Sequence, residues 1–355
     1  MPSFAMAPMP ATCVPAALPA RQRPPQVPSC RCCRGLLPLA TSSASPGDAP
    51  PPLPPVARLS ERVTRVLGRN ASPFTLTGTN LYLVGTGRRR ILVDAGEGKP
   101  GVLDDLLGAM RSEGCEGLEQ IVITHWHHDH LMGVPELLSH FGPLPVRKYQ
   151  PPEGTASGER GPQKDMGYFF DPNDVLRDVQ VVGLSDGEVL HCEGAALQVL
   201  FTPGHANDHV SLWLKEERGL FTGDNVLGWG TGVFQDLQLY MRSLRKMRDM
   251  EPELLYPAHG PVVERGRAGA WMQMYISHRE ERIEQVAASL RAGPTYGLTL
   301  EAVAKAVYSD QPHVLRNPVL FAGACNNSKL VLEYLEKEGL CVQEGGNYRF
   351  VSAKL

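Results

Sequence analysis

The chain has 355 residues, 35 of them basic and 38 acidic, for a formal net charge of −3. This near-neutral sum argues against a large sequence-independent grip on nucleic acid and leaves room only for a local basic patch. With 42% hydrophobic residues and a mean hydropathy of −0.19 the composition is that of a globular protein, and no apolar run approaches the roughly 18 to 20 residues that cross a bilayer. No membrane partner is expected.

Residues 1–56 hold 15 of the 31 prolines, four of the eight cysteines and a single acid, Asp48. Such a stretch cannot bury enough apolar surface to order itself. With Arg21, Arg23, Arg31 and Arg34, abundant Ala and Ser, and no long apolar core, it reads as an organellar transit peptide, mitochondrial in the first instance and plastid-directed in the alternative. Cys30, Cys32 and Cys33 have no second Cys or His pair at finger spacing beside them. The remaining Cys115, Cys192, Cys325 and Cys341 are scattered, which speaks for a reducing compartment and against a disulfide framework.

From about Ala57 short apolar runs bounded by Gly, Pro or polar residues alternate with helical stretches. Residues 81–84, 91–93, 121–123, 199–201, 220–221 and 254–256 read as strands, giving a mixed α/β architecture. Between Gly142 and Asp186 the chain is rich in Pro, Gly and charge, which predicts a long surface excursion with one strand at 145–149 and a flexible stretch at 153–161. Leu237, Tyr240, Met241, Leu244 and Met247 form an apolar helical stripe, with Arg242, Arg245, Lys246 and Arg248 on the remaining faces as the best basic patch in the chain. From about Ala292, helices are predicted at 299–308 and 326–338, the second stopped by Gly339; a hairpin of 340–342 and 348–351 closes the chain around a Glu-Gly-Gly-Asn turn.

The chemistry lies at the ends of four of these strands. After 121–124 comes His125-Trp126-His127-His128-Asp129-His130; after 199–202 comes Pro203-Gly204-His205; after 220–223 comes Asp224; after 254–258 comes His259. In an α/β sheet the carboxyl ends of strands form the edge where sites assemble. Imidazole and carboxylate without thiolate suit a catalytic zinc site that keeps a position for water. His125 and His127 are two apart and project to one side of an extended loop, while Asp129 and His130 come in the next turn and can face a second ion. His140, His191 and His313 have no motif around them and read as ordinary histidines.

These motifs, with Thr202-Pro203-Gly204-His205, Thr222-Gly223-Asp224 and Pro257-Ala258-His259-Gly260, resemble the metallo-beta-lactamase superfamily. The resemblance implies an α/β fold, a four-layer αβ/βα sandwich with two zinc ions per chain at one edge. His125, His127 and His205 would hold one ion, Asp129, His130 and His259 the other, and Asp224 would bridge them. Asp94 matches the early aspartate that orients loop and ligand. Residues 58–68, 77–85, His205-Ala206-Asn207-Asp208-His209 and Tyr275-Ile276-Ser277-His278-Arg279 are similar to the endoribonuclease branch typified by beta-lactamase-like protein 2 and its plant and algal relatives. Departures are Leu81 in place of a small polar residue, Ala258 where Gly is usual, and a divergent C-terminal region.

The implied organisation is a hydrolase domain at 57–291 and a winged-helix-like C-terminal unit at 292–355, acting as a cap or dimerisation element. The implied reaction is cleavage of single-stranded RNA by a metal-bridging hydroxide, with Asp129 and Asp224 holding the water and His278 as a candidate proton donor to the departing 3′ oxygen. Because the implied ligand set is already full, Asp208 and His209 are expected to support the ligands, His128 to lie exposed near the mouth, and Asn80 to serve either a turn or the substrate. A glyoxalase II-type thioesterase acting on acyl-glutathione is the alternative, and a vestigial scaffold a third reading; fold likeness alone does not choose among substrates.

Overall fold

The structure, a computed structural model, describes residues 50–151, 163–165 and 168–351. The first 49 residues of the transit-peptide reading and the stretch at 153–161 lie outside them. The described residues group into one compact unit. Among the described residues no helix is long and apolar enough to cross a membrane.

The first half builds a seven-stranded sheet from β1 (Val56–Arg58), β2 (Val63–Leu67), β3 (Asn80–Val84), β4 (Arg89–Val93), β5 (Gly117–Ile123), β6 (Val146–Lys148) and, beyond the pair β7 (Gln163–Asp165) and β8 (Tyr168–Phe170), β9 (Val181–Gly183). The strands lie in the order β1-β2-β3-β4-β5-β6-β9, antiparallel up to β4 and parallel from there on. Between them run α1 (Val102–Ser112), α2 (His128–Leu131), α3 (Val134–Phe141) and α4 (Pro172–Val175). The second half adds a five-stranded sheet of β10 (Val189–Cys192), β11 (Ala195–Phe201), β12 (Val210–Leu214), β13 (Gly219–Gly223) and β14 (Leu254–Pro257). Its strands are antiparallel except for the parallel pair β13 and β14, which α5 (Leu237–Arg248) connects.

Period-two alternation sets the layers. Tyr82 and Val84 of β3 and Ile91 and Val93 of β4 face Leu197 and Val199 of β11 and Phe221 of β13 in a core between the two sheets. Their neighbours Leu81, Leu83 and Leu92 point the other way, onto Leu106 of α1 and Leu137 of α3. On the far side Leu200, Leu220 and Leu255 meet the stripe of Leu237, Tyr240, Met241, Leu244 and Met247 on α5. The result is helix, sheet, sheet, helix: the four-layer αβ/βα sandwich. Because the inner strands are covered on both faces they read as unbroken apolar runs, and truncating one such side chain, Leu83 for instance, is expected to cost about 2 to 5 kcal/mol.

The outer layer continues through α6 (Ala268–Ala292), α7 (Leu300–Val307), α8 (Pro312–Arg316) and α9 (Pro318–Lys337) to the hairpin of β15 (Cys341–Glu344) and β16 (Asn347–Phe350). Thr299 caps α7 by accepting from Ala302 N at 3.2 Å, and Asn317 caps α9 by accepting from Val319 N and Leu320 N. Val303, Val331, Leu332 and Leu335 share one apolar cluster with Met272 and Ile276 of α6, so the C-terminal helices are fastened to the same core as α5.

Several expectations need correction. The excursion after Gly142 returns to the sheet as β9, a three-residue strand too short to show a period. Helix α9 starts at Pro318, well before 326, because the Asn317 cap and Pro at the first turn begin a helix whose small residues and asparagines mask its face. Strands β1, β2, β10 and β12 and the 25-residue α6 carried no clear signal. Helix α6 is gripped by α5 on one side and by α7 and α9 on others, which leaves it no single apolar face.

Candidate metal centre

Five strands deliver side chains to one edge. Asp94 follows β4, His125 follows β5, His205 follows β11, Asp224 follows β13 and His259 follows β14, while Asp129 and His130 ride on α2 just after His127. The edges of the two sheets are stitched together here: Asn80 N donates to Ala258 O at 2.7 Å and Val210 N to Thr124 O at 2.9 Å.

The expected ligand residues converge in two groups, His125, His127, His205 and Asp224 in one and Asp129, His130 and His259 in the other, each with its donor atoms within 4.8 Å of one another. In the first, His127 Nδ1 lies 2.8 Å from His125 Nε2 and 2.9 Å from His205 Nε2. In the second, Asp129 Oδ2 lies 3.3 Å from both His130 Nε2 and His259 Nε2. Asp224 spans the two. Its Oδ1 is 3.5 Å from His130 Nε2 and 3.2 Å from His259 Nε2, and its Oδ2 is 3.5 Å from His205 Nε2 and 4.0 Å from His125 Nε2.

The far nitrogen of each imidazole fixes which atom faces inward. Carbonyl and carboxylate oxygens only accept, so His205 Nδ1 donates to Val233 O at 2.8 Å and His130 Nδ1 to Asp94 Oδ2 at 2.8 Å, leaving both Nε2 atoms without a proton in the neutral ring. Thr124 ties the rest: its N and Oγ1 donate to Asp94 at 2.8 and 3.0 Å, and its Oγ1 stands 3.0 Å from His125 Nδ1. Asp94 takes the left-handed conformation, φ 60°, to reach all three.

Charge and burial oppose each other here. Burial, with the neighbouring imidazoles, pushes His125 well below its ordinary value and His205 down to about 4, the latter despite Asp224. Burial would also lower His259, yet Asp224 and Asp129 push it up to about 10, and Asp129, Asp94 and Asp224 hold His130 well above its usual value. Burial alone would raise the two acids; instead His130 and His259 hold Asp129 and Asp224 well below the ordinary carboxylate range.

The residues fit divalent metal ions. His130 Nε2 and Asp224 Oδ1 are buried with no hydrogen-bond partner and point into the centre. The 3.2 to 3.5 Å separations among imidazole and carboxylate atoms match the edges of a tetrahedron with arms of about 2.0 to 2.1 Å. The donor set is nitrogen and oxygen with no thiolate, the kind found at hydrolytic rather than closed structural centres.

Comparison with known proteins agrees with this geometry. A profile of the metallo-beta-lactamase superfamily matches residues 74–259. The chain belongs to the metallo-beta-lactamase superfamily. Among curated members, the chain is 37% identical over 286 residues to the Caenorhabditis elegans protein named beta-lactamase-like protein 2 homolog, covering 81% of this chain and 88% of that one. It is 40% identical over 275 residues to a protein of Aspergillus chevalieri named atrochrysone carboxyl ACP thioesterase, covering 76% and 80% respectively. A solved beta-lactamase domain protein from Burkholderia ambifaria shares the fold with a TM-score of 0.64 at 18% identity, over 83% of this chain and 93% of that one. A metallo-beta-lactamase family protein from Thermus thermophilus does so with a TM-score of 0.57 at 23% identity, over 84% and 99%.

Around this metallo-beta-lactamase centre some residues behave differently from expectation. His128 is buried rather than exposed at the mouth, because α2 turns it inward. Asn80 is fully buried, and its Nδ2 donates to Pro257 O and Gly260 O at 2.8 Å, so it braces the His259 turn instead of meeting a substrate. The basic face of α5 is largely neutralised: Arg245 pairs with Glu280, Lys246 with Asp186 and Arg248 with Asp249. His209 accepts from Asp224 N at 3.2 Å and meets Thr202 Oγ1 and Asn225 Nδ2 at 3.0 Å, holding the backbone of Asp224 in place. Asp208 is paired with the buried Lys148 and stands 3.4 Å from Trp126 N.

Sequence reasoning missed Thr79, Thr124, Asn70 and Lys148. Thr79 Oγ1 donates to Asp129 Oδ2 at 2.8 Å and accepts from Asn70 Nδ2 at 3.0 Å. A lone Thr or Lys in a loop has no spacing signal; only the fold brings it beside a ligand. His278 sits on α6, half-buried in the wall of a cavity that includes none of the seven converging residues. Burial and the Arg279 and Arg282 guanidiniums lower its basicity, so the ring is neutral near pH 7.

Proposed function

We propose that the chain is a metal-dependent endoribonuclease that cleaves phosphodiester bonds of single-stranded RNA, with two zinc ions held by His125, His127 and His205 and by Asp129, His130 and His259, and shared by Asp224. The observation that carries this reading is the division of Asp224, one oxygen toward each histidine group. When bound there, divalent ions would supply Lewis acidity toward a phosphoryl oxygen and lower the pKa of water. The chain's own residues set the conditions. Asp224 fixes the spacing of the two groups, Thr79 holds Asp129, Asp94 and Thr124 hold His130 and His125, and Val233 holds His205, so these four ligands need not reorganise as charge develops. His278, the candidate proton donor of the sequence reading, lines a cavity that shares no residue with the seven converging ones and is given no part in this reaction.

The choice of RNA rests on the endoribonuclease-like segments at 58–68, 77–85, 205–209 and 275–279 and on the similarity to a beta-lactamase-like protein 2 homolog over most of both chains. A second reading, hydrolysis of an acyl thioester, is favoured by the relative named as an ACP thioesterase, and it uses the same ligands on an acyl carbon. The test is metal analysis of the purified protein together with a parallel assay on an unstructured labelled RNA, an acyl-pantetheine thioester and S-lactoylglutathione. Internal RNA cleavage abolished by chelator and by Asp129→Ala is the expected result; thioester turnover without RNA cleavage would overturn it.

We also propose that residues 1–56 direct the chain to an organelle, the mitochondrion in the first instance, and that residues 292–355 serve as a winged-helix-like cap or dimerisation element. Import of a fluorescent fusion and a sedimentation measurement would decide these two points.

A further inference from the structure

A cavity of about 210 Å³ opens between the 231–237 loop, α6 and the C-terminal helices. That is about seven water volumes at ~30 Å³ each. His278, Arg279 and Arg282 are among the residues that line it, and a nitrogen of each, His278 Nδ1, Arg279 Nε and Arg282 Nη1, is buried and has no hydrogen-bond partner. They come from a single turn and a half of α6, on which Arg282 shares a face with Arg279, three residues before it, and with His278, four before it.

Neither arginine is neutralised by its own helix. Glu280 and Glu284 of α6 pair instead with Arg245 and Arg291, and Glu281 is exposed. Arg279 is only 7% exposed; its Nη2 donates to Gly232 O at 2.6 Å and its guanidinium stands 4.8 Å from the Phe234 ring. Arg282 lies over Tyr308 at 4.3 Å, a ring whose hydroxyl accepts from Asn327 Nδ2 at 3.4 Å. A buried guanidinium, Arg279, and a half-buried one, Arg282, have no carboxylate paired with them, a cost that an anion would relieve.

We propose that this cavity is a binding site for a phosphate monoester or diester, held by His278, Arg279 and Arg282. Two guanidiniums and an imidazole offer more N–H groups than the two oxygens of a carboxylate take up, and a phosphate has further oxygens to accept them; Phe234, Leu237 and Val331 offer apolar wall to its organic substituent. The site is distinct from the metal centre but shares a loop with it. Arg279 holds Gly232 O, and the next residue's carbonyl, Val233 O, orients His205. An anion that draws on Arg279 would therefore bear on the segment that carries both Asp224 and this carbonyl. The inference concerns binding and does not depend on whether the bond cleaved is a phosphodiester or a thioester.

The experiment takes the metal-loaded full chain. Crystals soaked in tungstate are expected to show anomalous density between His278, Arg279 and Arg282, separately from any at the metal pair. In calorimetric titration with phenyl phosphate, Arg282→Gln is expected to weaken one binding component about tenfold or more, and His278→Gln by less, with thermal unfolding unchanged. Tungstate confined to the metal pair, an Arg282→Gln protein that binds phenyl phosphate like the parent, or benzoate bound as tightly as phenyl phosphate would each overturn the proposal. If Arg282→Gln does not fold, the soaked parent crystal still decides. Density in the cavity of a protein that cleaves no RNA would sink the ribonuclease reading and leave this one standing.

Discussion

Asp94 Oδ2 receives a 2.8 Å hydrogen bond from His130 Nδ1, although the two residues are 36 apart in the chain, and Asp94 adopts φ 60° to make it. The carboxylate thereby selects the tautomer that turns His130 Nε2 toward Asp129 and Asp224. An asparagine there keeps the shape but loses the charge and offers an amide donor where only an acceptor serves. Asp94→Asn is expected to bind metal about 10 to 100-fold more weakly with the fold retained, measured by metal content after graded dialysis alongside circular dichroism.

Proton release should accompany metal uptake. Asp224 and Asp129 push His259 up to about 10 against the effect of burial, and His130 is raised as well, so both rings carry protons in the metal-free protein at pH 7. Because these folded values lie above the unfolded value of about 6.5, the ion pairs contribute their full stability to the metal-free fold below about pH 6.5, and the part due to His259 is lost as pH rises toward about 10. Metal competes with those protons, so affinity should increase with pH across that window. Calorimetry in two buffers of different ionisation enthalpy should show release of ~2 protons on filling the Asp129, His130 and His259 group; no release would contradict the charge assignment.

Lys148 and Asp208 are both buried and paired beside Trp126, away from the ligand atoms themselves. Lys148→Met leaves Asp208 charged and alone, and is expected to destabilise the protein by about 3 to 5 kcal/mol. Urea unfolding should show this as a large fall in the midpoint, and Lys148→Met combined with Asp208→Leu should recover much of it.

Gly204 sits at φ 140°, and a Cβ placed on it would lie 2.3 Å from Tyr240 Cα and 2.4 Å from Tyr240 N. Its carbonyl also accepts from Gln235 N and Asp236 N at the start of α5. Gly204→Ala is therefore expected to cost at least about 1 to 3 kcal/mol from backbone strain alone and to displace His205, so that stability and metal content fall together.

Filling the centre should stabilise the chain by mass action. At a free metal concentration 100 times the dissociation constant the gain is about 2.7 kcal/mol, seen as a rise in thermal midpoint that chelator reverses and that Asp224→Ala, which removes the shared ligand, largely abolishes.

The candidate ligand residues were legible because their types are few and their spacing is local. His125, His127, Asp129 and His130 lie within six positions, and the ends of apolar runs mark where His205, Asp224 and His259 must emerge. The mixed α/β class followed from the same runs, since strands buried on both faces leave an unbroken apolar signature, while the four-layer order was implied by the family resemblance. What the sequence could not settle were facts about neighbours distant along the chain. Thr79, Lys148 and Val233 gain their roles only when β3, β6 and the loop after β13 meet the ligand loops, and Thr, Lys and Val carry no positional mark of that meeting. The α5 arginines and lysine read as a basic patch until folding set Asp186 and Glu280 against them. The α6 cavity exists only because α7 and α9 fold back across the helix. Spacing fixes which atoms can bind an ion; packing decides which charges remain uncompensated, because that balance depends on every element that comes to lie alongside.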